Sequence, residues 1–176
     1  MTDSRSSRLA AVVFDKTDDP DTPLRAFIVA AQQQGARISG LVQERCDDGQ
    51  DEERDLQVRA LDTGATLPIM QNLGAASEGC RVDPAAITVA AGMLDAARAG
   101  KPDLLIVNRF GRLESEGGGM IAEIGAAVAN DEAVLICVPL RYRDAWNDFA
   151  DGLDVQMAPE RAAIDAWWAS VSRETV

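Results

Sequence analysis

Three short stretches built on continuous apolar runs constrain this chain more than any other feature: residues 9–14 (LAAVVF), 103–110 (DLLIVNRF, apolar throughout 104–107) and 133–140 (AVLICVPL). A strand with one wet face alternates apolar and polar residues. A continuous run of this length describes a strand covered on both faces, as in a parallel sheet flanked by helices. The intervening segments repeat with helical period. Thr22 reads as an N-cap with Pro23 at the first helical position, Leu24, Phe27, Ile28 and Ala31 form one face, and Gly35 closes the helix. Residues 37–43 (RISGLVQ) then read as a second strand, completing a βαβ unit expected to cross over right-handed. Asp83 and Pro84 open another helix, with Ile87, Ala90, Ala91, Leu94 and Ala97 on one side and Gly100 past its end. Met120, Ile121, Ile124, Ala127 and Val128 mark a third; residues 144–150 form a short helix and residues 159–173 a C-terminal one. The fold class is α/β, a three-layer sandwich on a mostly parallel sheet.

One segment breaks the alternation. Residues 56–61 and 65–70 flank Asp62-Thr63-Gly64, a hairpin signature with glycine where positive φ is needed. Pro68 places the second strand of this insert at a sheet edge or a bend. The charged stretch 46–55 reads as an exposed loop. No repeat or linker divides the chain, so residues 9–176 form one domain and the polar residues 1–8 a disordered N-terminus.

Charge and composition exclude several functions. A net charge of −12 repels phosphate backbones, and Arg109, Arg112, Arg141 and Arg143 are too sparse to track a nucleic acid. No run of apolar residues is long enough to span a membrane. Three widely spaced cysteines, Cys46, Cys80 and Cys137, fit neither a disulfide framework nor a zinc pattern and point to a reducing, cytoplasmic setting. The absence of histidine removes Ser-His-Asp and Cys-His catalysis and the commonest transition-metal ligand. No motif specifies a cofactor or a metal site.

In open parallel sheets ligands bind beyond the carboxyl ends of the strands, which directs attention to the loops after Phe14, Gln43, Phe110 and Leu140. A phosphate-cradling loop needs glycines, then Lys and Ser/Thr at the helix start. The loop after Phe14 reads Asp15-Lys16-Thr17-Asp18-Asp19-Pro20-Asp21. Lys16-Thr17 imitates the Lys-Ser/Thr pair but stands at the strand end, among aspartates that repel a triphosphate and that are either a hard-cation site or a solvated loop. Arg109 offers a planar fork of donors to an anion, or pairs with Glu114 or Glu116. Gly117, Gly118 and Gly119 form an amide-lined anion site at a helix start, or a flexible turn. Cys80, beside Arg81 and a helix start, is an activated thiol or a plain loop cysteine, while Cys137 fills the core. Trp146, Phe149, Trp167 and Trp168 are packing elements or a partner-binding, possible homodimer surface.

Gly40-Leu41-Val42-Gln43, Gly79-Cys80-Arg81-Val82-Asp83-Pro84, and Asn108-Arg109-Phe110-Gly111 followed by Glu114 and Gly117 carry a resemblance. From Gly40 onward the chain resembles the small nucleoside-triphosphatase family of the P-loop class. It resembles more closely the bacterial family DUF2478, recurrently found near molybdenum-transport genes, with similarity over about residues 10–157. The resemblance implies a P-loop-NTPase-like sandwich. In the triphosphatases the last stretch is Asp-Glu-Ile-Gly with a further Glu, and the acidic pair holds Mg²⁺ and activates water. Here Asn108 and Arg109 stand at the acidic positions, while Gly111 and Glu114 match. An amide and a cation do not replace two carboxylates around Mg²⁺, so the implied scaffold lacks the electrostatics of phosphoryl transfer. The expectation is a non-hydrolytic accessory protein, binding a small anion or a protein partner around Lys16, Gln43, Cys80, Arg81, Asn108, Arg109, Gly111, Glu114 and Gly117 to Gly119. The family's genomic company links that role to molybdenum, molybdate included. The alternative is a divergent Mg²⁺-dependent triphosphatase or transferase in which Glu114, Glu116 or Asp15 takes the metal role.

Overall fold

The computed structural model describes residues 7–45, 56–70 and 82–173. Seven strands form a single sheet: β1 (Leu9–Phe14), β2 (Ile38–Arg45), β3 (Leu56–Ala60), β4 (Thr66–Pro68), β5 (Leu104–Val107), β6 (Val134–Pro139) and β7 (Asp154–Met157), in the spatial order β4-β3-β2-β5-β6-β1-β7. The stretch from β2 to β7 is parallel throughout, and the β3–β4 hairpin extends it antiparallel at one edge. Pro68 lies in β4, the edge strand, where a missing N–H costs no ladder bond. Strands β1 and β2 are not neighbours, because β5 and β6 lie between them.

Alternate residues of β1, β5 and β6 enter opposite cores, which explains why these strands carry no polar residue. Ala10, Val12 and Phe14 of β1 face α1 (Asp21–Gln33) and α6 (Arg161–Arg173), together with Leu24, Phe27, Ile164 and Trp167. Leu9 and Ala11 face the other way, into a core built with α2 (Pro84–Ala99), α4 (Ile121–Ala129) and α5 (Arg143–Ala150). The result is three layers. Asp83 caps α2, its carboxylate accepting from the Ala85 N–H at 2.9 Å, and Pro84 occupies the first turn as its fixed φ favours. A four-residue helix, α3 (Arg112–Ser115), follows β5 and is too short to leave a periodic signature.

Several boundaries differ from the sequence reading for identifiable reasons. Helix α1 begins at Asp21, so Thr22 is not its cap; the carboxylate of Asp19 serves instead. Ser7 and Arg8 are tied to the domain, Ser7 accepting from the Trp167 indole N–H at 2.9 Å and Arg8 accepting from the Val134 N–H at 2.8 Å; the rest of the expected N-terminal tail, residues 1–6, lies outside the described residues. The charged loop expected over 46–55 also lies outside them. Trp146 and Trp167 are buried and hydrogen-bonded, Trp146 to Asp154 at 2.7 Å and edge-on against Phe110. These two rings belong to the core and are withdrawn from any partner surface.

Candidate functional site

The carboxyl ends of β1, β2, β5 and β6 open onto one crevice, and α1 points its N-terminus into it. In a fold of this kind the amides of the β1–α1 loop and the positive end of the helix dipole await an anion. This chain supplies that anion itself. Asp19 accepts from the backbone N–H groups of Asp21 (3.0 Å) and Thr22 (3.2 Å) and from the Thr22 hydroxyl (2.5 Å). Asp18 accepts from the Asp15 N–H at 2.8 Å, and Asp15 accepts from the Lys16 N–H at 2.7 Å and, through its carbonyl, from the Asp18 N–H at 3.1 Å. The Thr22 hydroxyl and amide hold the Asp19 carboxyl below its ordinary pKa, which keeps it charged on the helix end. The cluster of aspartates is therefore a set of internal caps. Among the described residues no group of three or more His, Cys, Asp or Glu side chains is placed to hold a metal ion.

The second half of the site is built on Asp21. Its two carboxylate oxygens take the Asn108 side-chain amide (3.1 Å) and the Arg109 guanidinium (2.9 Å). Asn108 is buried, and its carbonyl oxygen in turn accepts from Arg109 Nε at 3.3 Å. The Arg109 guanidinium also lies over the Phe14 ring, 4.8 Å from its centroid. Arg109 is thus held by Asp21 across the sheet from α1, and does not pair with Glu114 or Glu116. Glu116 pairs with Arg112 at 2.9 Å.

Glu114 is buried and turned inward, its two oxygens accepting from the backbone N–H groups of Gly111 (3.0 Å) and Met120 (3.1 Å). It staples the 111–120 loop. The amides of Gly117 and Gly118 donate to the carbonyls of Glu114 and Leu113 and close α3, so these two donors do not face the crevice. Gly119 adopts φ +58°, and a Cβ there would meet Glu114 Oε1 at 2.2 Å. Its need for glycine is steric. The structure thus brings Lys16, Gln43, Asn108, Arg109, Gly111 and Glu114 to the crevice and leaves Gly117, Gly118 and Gly119 off its walls. Cys80 and Arg81 lie outside the described residues. Cys137 is wholly buried, and burial pushes its thiol pKa up to about 12, which makes it inert as a nucleophile.

The crevice is divided into cavities that meet at Arg109. One of about 380 Å³ is lined by the β1–α1 loop, Arg109 and Arg141; another of about 620 Å³ runs between α1 and the β2–β3 strands; a third of about 230 Å³ reaches toward α2. Lys16 and Arg141 have no ion-pair partner among the described residues. The sequence reading missed Asp19, Asp21 and Arg141 as members of the site. Arg141 stands two residues after the end of β6, so the strand-end rule was signal enough; no local signal distinguishes Asp21 from any acid in a first helical turn.

Comparison with known proteins is consistent with this architecture. A family described as "Protein of unknown function (DUF2478)" matches residues 9–167. The Molybdenum import ATP-binding protein ModC 2 of Bradyrhizobium diazoefficiens is 34% identical over 166 residues, covering 94% of this chain and 18% of that protein. The chain therefore spans less than a fifth of that relative. A human cancer-related nucleoside triphosphatase has the same fold, with a TM-score of 0.67 at 14% identity over 96% of this chain and 97% of the other. THEP1 from the hyperthermophile Aquifex aeolicus superposes with a TM-score of 0.59 at 13% identity, over 92% and 95% of the two chains. At these identities the likeness is one of fold.

Proposed function

Since the chain belongs to the DUF2478 family by its match over residues 9–167, we propose that it is a non-hydrolytic, cytoplasmic accessory unit of molybdenum import whose crevice takes a small anion in place of a nucleoside triphosphate. One observation carries this reading: the helix N-terminus that would receive a triphosphate is held by Asp19, while Asp21 is committed to Asn108 and Arg109. A triphosphate arriving there would displace one carboxylate and face the remaining ones across a few ångströms. Phosphoryl transfer depends on cations and aligned donors at that point, and here the donors are spent.

The link to molybdenum rests on the relative. A stretch equivalent to nearly this whole chain is carried within a much longer polypeptide named a molybdenum import ATP-binding protein. Covalent attachment keeps such a unit at high effective concentration beside the rest of that protein. This chain has no phosphate loop of its own, so the reading gives it a capacity other than ATP turnover.

Support for an anion comes from unequal pairing. The aspartates that line the 380 Å³ cavity have internal partners, whereas Lys16 and Arg141 present positive charge into the same space beside Arg109. Guanidinium groups are suited to tetrahedral and planar oxyanions. In calorimetric titration, molybdate, tungstate or sulfate is expected to bind with a Kd of about 1 mM or tighter, and Arg109→Ala to weaken that binding about tenfold or more. ATP with Mg²⁺ is expected to give no heat at the same concentrations. Silence from every oxyanion at millimolar concentration would remove the anion and leave only a protein contact with the import machinery.

A further inference from the structure

The crevice does not end at its polar cavity. Past Arg109 it continues into the 230 Å³ cavity, whose walls include Val58, Ile69, Ile87, Phe110 and Met120, with Tyr142 among its lining residues. The polar and apolar cavities share Arg109, Pro139 and Arg141, so the arginines stand on the boundary between them. Each guanidinium rests on an aromatic ring: Arg109 lies 4.8 Å from the Phe14 centroid and Arg141 lies 4.9 Å from the Tyr142 centroid. Stacking occupies the face of a guanidinium and leaves its N–H edges for acceptors; Arg109 gives part of its edge to Asp21 and Asn108, whereas Arg141 has its edge open. Among the described residues, Arg141 makes no ion pair or hydrogen bond.

An inorganic oxyanion would use only half of this arrangement. It would sit against the arginines, and the apolar walls beside it would remain in contact with water. A neutral hydrocarbon would use the other half and leave the cations idle. We propose that the site takes a planar aromatic anion, with its ring in the apolar cavity and its phosphate, sulfonate or carboxylate group at Arg141 and Arg109. The inference rests on the anion reading above and narrows its ligand class. Gln43 on the wall of the same cavity makes no side-chain hydrogen bond among the described residues, and its amide offers both a donor and an acceptor to a ring heteroatom.

The test compares three probes on the full chain: 1-naphthyl phosphate, inorganic phosphate and 1-naphthol. The expected result is that 1-naphthyl phosphate binds at least about tenfold more tightly than either of the others, and that Arg141→Ala weakens it by about tenfold or more. Leu56 is half-buried and lines the apolar cavity, so Leu56→Trp is expected to fill that space and bring 1-naphthyl phosphate down to the affinity of inorganic phosphate, without changing the latter. Circular dichroism verifies that both variants fold. Equal affinity for 1-naphthyl phosphate and inorganic phosphate would overturn the inference while leaving the anion reading intact. Equal affinity for 1-naphthyl phosphate and 1-naphthol would overturn it as well, since the arginines would then contribute nothing. No binding of 1-naphthyl phosphate would also overturn it, and the separate molybdate, tungstate and sulfate titrations decide whether the anion reading falls with it.

Discussion

Gly40→Ala is expected to cost roughly 3–5 kcal/mol of folding stability, seen as a large drop in the urea midpoint. Gly40 sits in β2 opposite Ile106 of β5 with φ +114°, a conformation that strains any residue with a Cβ. A Cβ at this position would stand 2.1 Å from the Ile106 carbonyl oxygen and 2.7 Å from its nitrogen, both backbone atoms of a central strand that cannot yield like a side-chain tip. The Gly40 carbonyl also accepts from the Leu61 N–H at 3.0 Å, linking the β3–β4 hairpin to the parallel sheet. Relief of the clash would part β2 from β5 just below the crevice, so Asn108, whose N–H donates to the Leu41 carbonyl at 3.1 Å, would move with it. An unchanged midpoint would mean that the two strands do not approach this closely.

Glu114→Ala is expected to destabilise the chain by about 2–5 kcal/mol, because it leaves the buried amides of Gly111 and Met120 without acceptors and opens a void under α3. Glu114→Gln keeps one acceptor oxygen and should lose about 1–2 kcal/mol. The pair of variants separates two roles for this carboxylate. A loop staple makes thermal stability follow the number of acceptors that remain. A metal ligand would leave stability almost unchanged in Glu114→Gln and show its effect only in Mg²⁺-dependent chemistry. Thermal unfolding of the three proteins distinguishes these outcomes, and equal melting temperatures would remove the staple.

Legibility in the sequence followed how local each determinant is. The strands β1, β5 and β6 were plain because burial on both faces forbids polar residues, and α2 was plain because Asp83 and Pro84 announce its start. Asp62-Thr63-Gly64 marked the hairpin, where Gly64 takes φ +73°. Strand β7 escaped notice because its four residues, Asp-Val-Gln-Met, pair only with β1 at a sheet edge and remain partly exposed. Which parallel strands are neighbours is likewise absent from any window of sequence, so the distance between β1 and β2 emerged only from the fold. The site divides along the same line. The missing glycines and the replaced acidic pair were visible at the level of single motifs. The replacement for the phosphate was not, since Asp21 meets Arg109 across 88 residues and a short acidic loop gives no sign that each carboxylate caps a nearby amide.

The chain shares its fold with a human nucleoside triphosphatase, and the proposal that it does not hydrolyse nucleotides rests on the residues at its strand ends. Asp19 on the α1 amides, Asp21 on Arg109, and Glu114 on the α3 loop are three carboxylates turned to structural use. The most direct measurement is phosphate release from ATP and from GTP by the purified chain, with and without Mg²⁺. The expected result is release no faster than in buffer under every condition; Mg²⁺-dependent release above buffer from either nucleotide would contradict it.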